Sequence, residues 1–155
     1  MIPKTIVDVT PKWLSNILGL EITDLEVTKI GEGIGLLGDI YKVELFPSEH
    51  FPKSVVVKLP SSFEDNRQQG VALGMFEAEV RFYNQLGPMI NVGLPKIYHA
   101  DILEGTADFV IVMEDLSDLM MVSQSEGMSD SQAEAAVKVL AKIHAVWWGR
   151  MESHE

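Results

Sequence analysis

The sequence predicts an α+β fold in which an antiparallel sheet of about five strands carries one inserted helix. Three features point there. Short β-branched or alternating runs recur at residues 22–30, 39–46, 54–59, 96–100 and 109–113, with turn chemistry between them. The first three follow one another with no helical pattern between, which implies an antiparallel meander. A long helical pattern, 71–86, interrupts the strands, and another starts at Ser129 or Asp130 and runs to about Trp148. A chain of 155 residues, 46% apolar and 23% charged, suits one ordinary domain with a real core.

The elements follow in order. Thr10 before Pro11 is an N-cap with proline at the first helical position, and Trp13, Leu14, Ile17 and Leu18 recur at helical spacing until Gly19. Leu25 and Val27 share one face of the first strand; Tyr41, Val43 and Leu45 share one face of the second. Val55, Val56 and Val57 directly before Lys58 mark a well-buried third strand. Residues 61–70 are polar and read as a loop, and Gly87-Pro88 ends the helix that follows. Turns are expected at Gly93-Leu94-Pro95 and near Glu104-Gly105, and residues 117–128 read as irregular.

Twelve Lys and Arg against 23 Asp and Glu leave a net charge of −11, which excludes a sequence-independent grip on nucleic acid or on an anionic membrane. Any phosphate must be held locally. The absence of cysteine excludes disulfides, thiolate metal sites and thiol nucleophiles. The longest apolar runs fall far short of the roughly 18 residues a membrane span needs, and residues 1–10 lack a signal-peptide core. The expectation is a soluble, cytoplasmic protein.

Gly31, Gly33, Gly35 and Gly38 crowd one short stretch, and the last three satisfy G-x-G-x-x-G. A dinucleotide fold would need a helix next, whereas 39–46 alternates as a strand does. Strand, glycines, strand is a hairpin able to lay backbone N–H groups on phosphates. A plain flexible turn is the alternative.

On a wheel of about 100° per residue, Phe82, Met75, Leu86, Ala72, Tyr83, Phe76 and Val80 fill one arc of the 71–86 helix, with Glu79 near its centre. A carboxylate drawn inward needs a cation, and Lys58, at the end of the valine strand, is the candidate. The alternative is a Glu79 that reaches water. The run 109–113 leads into Glu114-Asp115-Leu116, where a connector between two lobes would offer backbone groups to an adenine edge; a surface turn is the plainer reading. In the last helix Ile143, Ala136, Trp147, Leu140, Ala133, Val137, Trp148 and Ala141 form an apolar arc containing His144, which reads as a core histidine rather than a catalytic one.

Taken in order, six motifs carry a resemblance: Gly31-Glu-Gly-Ile-Gly-Leu-Leu-Gly-Asp39-Ile-Tyr, Val55-Val-Val-Lys58-Leu-Pro60, Glu79-Val-Arg-Phe-Tyr83, Leu94-Pro95-Lys-Ile-Tyr98, Val112-Met-Glu-Asp-Leu116 and Leu140-Ala-Lys-Ile-His144-Ala. Together they resemble the aminoglycoside phosphotransferase and choline-kinase-like family, most closely its ecdysteroid-kinase-like branch. The resemblance implies a protein-kinase-like small lobe over residues 1–113, a hinge at 114–116 and the beginning of a helical large lobe over 117–155. It implies ATP and Mg²⁺ as cofactors and a small-molecule hydroxyl as phosphate acceptor. Gly33, Gly35 and Gly38 would cover the ATP phosphates, Lys58 would hold the α and β phosphates, Glu79 would fix Lys58, and Glu114, Asp115 and Leu116 would carry the adenine contacts.

Members of that family continue into a catalytic loop, H-x-D with Asn five residues after the Asp, and a later metal-binding Asp; this sequence reaches Glu155 before either. The one H-x-D here, His99-Ala100-Asp101, has Thr106 where the Asn would stand. No catalytic residue and no metal ligand is therefore expected in this chain, and a fragment or one part of a split protein is the expectation. A non-catalytic nucleotide-binding or interaction module, docking a partner or a second copy through the hinge face and Trp147-Trp148, is the competing one.

Overall fold

The computed structural model describes residues 1–31, 37–47, 49, 51–122 and 125–149. Five strands, β1 (Asp24–Ile30), β2 (Gly38–Phe46), β3 (Ser54–Pro60), β4 (Ile97–Ile102) and β5 (Phe109–Glu114), form one antiparallel sheet in the order β1-β2-β3-β5-β4. β1 to β3 are the expected meander, and β5 inserts beside β3 so that β4 takes the edge.

Register divides the side chains between two faces. Val43 is paired with both Val27 and Val55, and Val57 lies between Tyr41 and Val112. Those residues share one face with Leu45, Leu59 and Val110, and most are fully buried. The N-terminal segment closes that face. Helix α1 (Pro11–Leu18) opens with the Thr10 hydroxyl accepting the Trp13 N–H and ends at Gly19, whose φ of 68° is readily reached only by glycine. Val9, Leu14 and Ile22 complete this core.

The opposite face carries Ile40, Lys42, Val56, Lys58, Ile111 and Met113, and its β5–β4 end is covered by helices. Here two expectations fail. Residues 61–70 are not a loop throughout, because α2 (Glu64–Ala72) occupies most of that stretch. Its polar composition has almost no amphipathic signal, and it is supported by Glu64 and Asp65 in the first turn, where acidic groups favour the helix N-terminus. The single helix 71–86 is broken as well. Gly74, at φ +63°, separates α2 from α3 (Met75–Arg81), and a wide turn over Phe82–Leu86 and a tight one over Gly87–Met89 follow.

The inserted segment is thus two helices and two turns, and the apolar arc drawn across residues 71–86 holds only from Phe76 onward. Phe76 and Val80 are buried against Phe109 and Ile111, with Phe76 stacked on Phe109 at 4.7 Å between ring centroids. Ala72 and Met75 face solvent. A Cβ at Gly70 would fall 2.2 Å from the Phe76 ring, so only glycine lets α2 pack so close to α3.

Helix α4 (Asp130–Trp147) is capped as expected, Ser129 accepting the Gln132 N–H and Gln132 returning a bond to the Ser129 N–H. None of its residues is buried, so the apolar arc foreseen there, Leu140 and Val137 included, is largely exposed. His144 is exposed too, which corrects its reading as a core histidine. Among the described residues no helix is long and apolar enough to cross a membrane.

Candidate functional site

Lys58 sits in β3 between Ile40 of β2 and Ile111 of β5, on the face that the N-terminal segment leaves open. Alternation put it there: Val57 and Leu59 on either side belong to the closed core, so Lys58 must point the other way. Glu79 reaches it from α3, between Phe76 and Val80 at helical spacing, and both carboxylate oxygens lie 2.7 Å from the Lys58 Nζ. The lysine and glutamate side chains keep 23% and 29% of their exposure, so the pair is reachable from solvent while held by packing beneath it. Tyr83 follows one turn later, its phenol pushed up by burial and then by the Glu79 charge.

The pitch of α3 is set on its outer side. Glu77 accepts the Gly105 N–H at 2.7 Å, and Arg81 bridges Glu77 and Glu104, tying the helix to the turn between β4 and β5. These contacts were not foreseen from sequence, because nothing in it says that residues 77 and 105 meet.

Above Lys58 begins the glycine stretch. Gly38 pairs with Pro60, and a Cβ added to it would meet the Leu59 carbonyl at 3.0 Å and the Lys58 Cε at 3.1 Å. The bare Gly38 backbone therefore lies directly against the Lys58 stem. Gly33 and Gly35 fall outside the described residues. The base of the hairpin is braced by Asp39, which pairs with Lys29 of β1 at 2.9 Å and accepts the Ser62 N–H just after β3. Since β2 begins at Gly38 and runs extended, the helix a dinucleotide fold requires is not there.

Ile30, Ile40, Val56 and Met113 share the Lys58 face and are half-buried, an apolar floor beside the ammonium that motif reading missed. The signal was present: Val56 stands two residues before Lys58, and period-two alternation puts both on one face.

The predicted hinge residues separate by role. β5 runs through Glu114, whose partner Val55 belongs to the closed face, and its carboxylate accepts the Lys96 N–H there. Its own N–H donates to the Lys96 carbonyl at 2.8 Å. Asp115 lies on the open side. Its carboxylate accepts from the Ser54 hydroxyl at 2.6 Å, pairs with Lys42 at 3.1 Å and accepts the Ser117 N–H at 2.9 Å. Burial opposes its charge, yet these bonds outweigh burial and hold the carboxyl far below the ordinary carboxylate range. Leu116 is partly exposed.

Lys58 and Asp115 thus mark two ends of one strip, since Ser54 and Lys58 are four residues apart on β3, about 13 Å at the rise of a strand. His99 and Asp101 of the H-x-D match stand in β4 paired with Val112 and Val110, on the closed face, with His99 edge-on to Trp13 at 5.9 Å. That histidine is held by packing, and burial lowers its pKa. A cavity of about 370 Å³ opens between the turns after α3 and β4, lined by Tyr83, Asn84, Leu94, Tyr98 and His99; none of the predicted site residues lines it.

The sequence model of the ecdysteroid kinase-like family matches residues 36–153, from just before Gly38 through α4. The chain is a member of the ecdysteroid kinase-like family. None of the curated proteins matches it. Membership and the antiparallel sheet with its helices agree with a kinase-like small lobe followed by a helix, and the family is a kinase-like one. The family match spans every motif of the strip: Gly38, the Lys58 and Glu79 pair, and Glu114, Asp115 and Leu116.

Proposed function

We propose that this chain is the ATP-binding part of a small-molecule phosphotransferase, a kinase of the family just named. The single observation that supports it most is the Lys58–Glu79 pair, both contacts at 2.7 Å, set on an open apolar face directly under Gly38. Glu79 fixes the ammonium and partly neutralises it, leaving it to orient the α and β phosphates, with the bare Gly38 backbone keeping their approach clear. The base lies over Ile40, Val56 and Met113, and the hinge of Glu114, Asp115 and Leu116 gives it backbone contacts. Phosphoryl transfer needs positioning and charge neutralisation more than covalent help from the protein, and this strip supplies part of that positioning for a γ-phosphoryl group passing to a small-molecule hydroxyl.

The residues present fit ATP: a lysine for phosphate, a glycine that keeps the approach clear, and an apolar floor. Mg²⁺ is different. Among the described residues no group of three or more His, Asp or Glu side chains could hold a metal ion, so no ligand set for it is found among them.

Calorimetric titration of the chain with Mg·ATP tests the reading. Saturable binding is expected, weakened about tenfold or more by Lys58→Met, the scale of losing hydrogen bonds to a charged group. Equal binding by that variant would overturn it. These residues alone are expected to give no phosphotransfer; turnover by them would contradict the reading of this strip as the ATP-binding part.

The exposed apolar residues of α4, Val137 at 63% and Leu140 at 49%, favour a second reading as an interaction module. Concentration-dependent association on a sizing column, with no ATP binding, would select it.

A further inference from the structure

Asp115 carries a second role that the hinge reading leaves open, and the inference rests on the proposed function. The connector after β5 leaves the sheet at a free end, and nothing in a strand terminus by itself fixes the direction of the next peptide groups. In this chain one side chain does so. Asp115 turns back across the open face to the Ser54 hydroxyl of β3 at 2.6 Å and the Lys42 ammonium of β2 at 3.1 Å. Its other oxygen accepts the Ser117 N–H at 2.9 Å, closing a local turn, and Lys42 donates to the Ser117 hydroxyl at 3.1 Å. The Asp115 side chain is only 8% exposed, and each of its bonds is to the sheet or to the connector itself.

We propose that Asp115 is a positioning residue that latches the connector to β2 and β3, so that the backbone of residues 114–116 faces an adenine laid over Val56 and Met113. Its carboxylate is spent on Ser54, Lys42 and Ser117 and does not touch the base. Lys42 takes part through Asp115, at the opposite end of the strip from Lys58. The latch serves the base and leaves the phosphate end alone, which separates it from a residue that merely stabilises the fold.

The test titrates the unaltered chain, Asp115→Ala, Lys42→Met and Lys58→Met with adenosine and with inorganic tripolyphosphate, and records the unfolding temperature of each. Asp115→Ala is expected to weaken adenosine about tenfold, as lost bonds to a charged group would, with tripolyphosphate affinity unchanged. Lys42→Met, which removes the Lys42 contacts but leaves the Asp115 carboxylate its bonds from the Ser54 hydroxyl and the Ser117 N–H, is expected to do the same more weakly, by about threefold. Lys58→Met should show the converse, losing tripolyphosphate and keeping adenosine. Adenosine affinity unchanged in both latch variants, or both ligands weakened in parallel by each, overturns the latch. Should Asp115→Ala fail to fold, Lys42→Met and Asp115→Asn decide the matter. An unaltered chain that binds neither adenosine nor ATP overturns the proposed function itself, whereas binding that ignores Asp115 and Lys42 overturns only the latch.

Discussion

Val56 and Val57 are neighbours in one strand with the same side chain, yet they live in different molecules in all but name. Val57 points into the face closed by α1 and is fully buried among Val43, Val55 and Val112; Val56 points to the face shared by Ile40, Lys58 and Met113 and is half-buried. The closed face makes the domain stable, because Val43, Leu45, Val55, Val57, Leu59, Val110 and Val112 are almost wholly out of water there. The open face is free to carry a charged pair, because its lysine and glutamate neutralise each other and keep contact with solvent. Two chemistries are separated by one peptide bond, and the pleat does the separating.

The largest effect belongs to the closed face. Leu14→Ala removes a side chain with no remaining exposure and is expected to cost about 3 kcal/mol, read by urea unfolding, whereas Val56→Ala on the open face should cost under about 1 kcal/mol. Comparable losses would erase the distinction between the faces. Next comes Gly38→Ala, which sharpens it. The added Cβ presses on a fixed backbone carbonyl and on the Lys58 stem, so ATP affinity should fall by about threefold to tenfold with the fold retained. Calorimetry on the variant checks this.

The smallest effect is a pH slope from His99 on the closed face. Burial lowers its pKa, so the unfolded chain takes up a proton, beginning near pH 6.5, that the folded chain resists. Stability should therefore decline as pH falls from about 7 to about 5, and His99→Gln should flatten that part of the profile. An unchanged slope in thermal unfolding across that window would place the proton uptake elsewhere.

Much of this was legible in the sequence where local chemistry decides. The Thr10-Pro11 cap, the Gly19 stop, the meander and the Glu79 position all follow from spacing and propensity, and each is where spacing put it. The helix over Glu64–Ala72 was illegible because its residues are polar on every side and it is held by a contact, Gly70 on Phe76, that only the tertiary structure creates. Gly74 falls inside the expected helix 71–86, and its left-handed backbone makes it the boundary between two helices. At the site, Lys58 and Glu79 announce themselves because a charge within an apolar pattern demands a partner. The contacts of Asp115 with Lys42, and of Glu77 with the Gly105 backbone, join ordinary residues far apart in the chain, and no pattern distinguishes them before folding.

The central claim is that Glu79 serves the phosphate end through Lys58 and not on its own. A double-mutant cycle of Lys58→Met and Glu79→Gln, read as Mg·ATP affinity by calorimetry, tests it most directly. The account predicts that each single variant weakens binding and that the double variant binds no worse than Lys58→Met alone. Losses that add in full, or a Glu79→Gln variant that binds as the unaltered chain does, would contradict it.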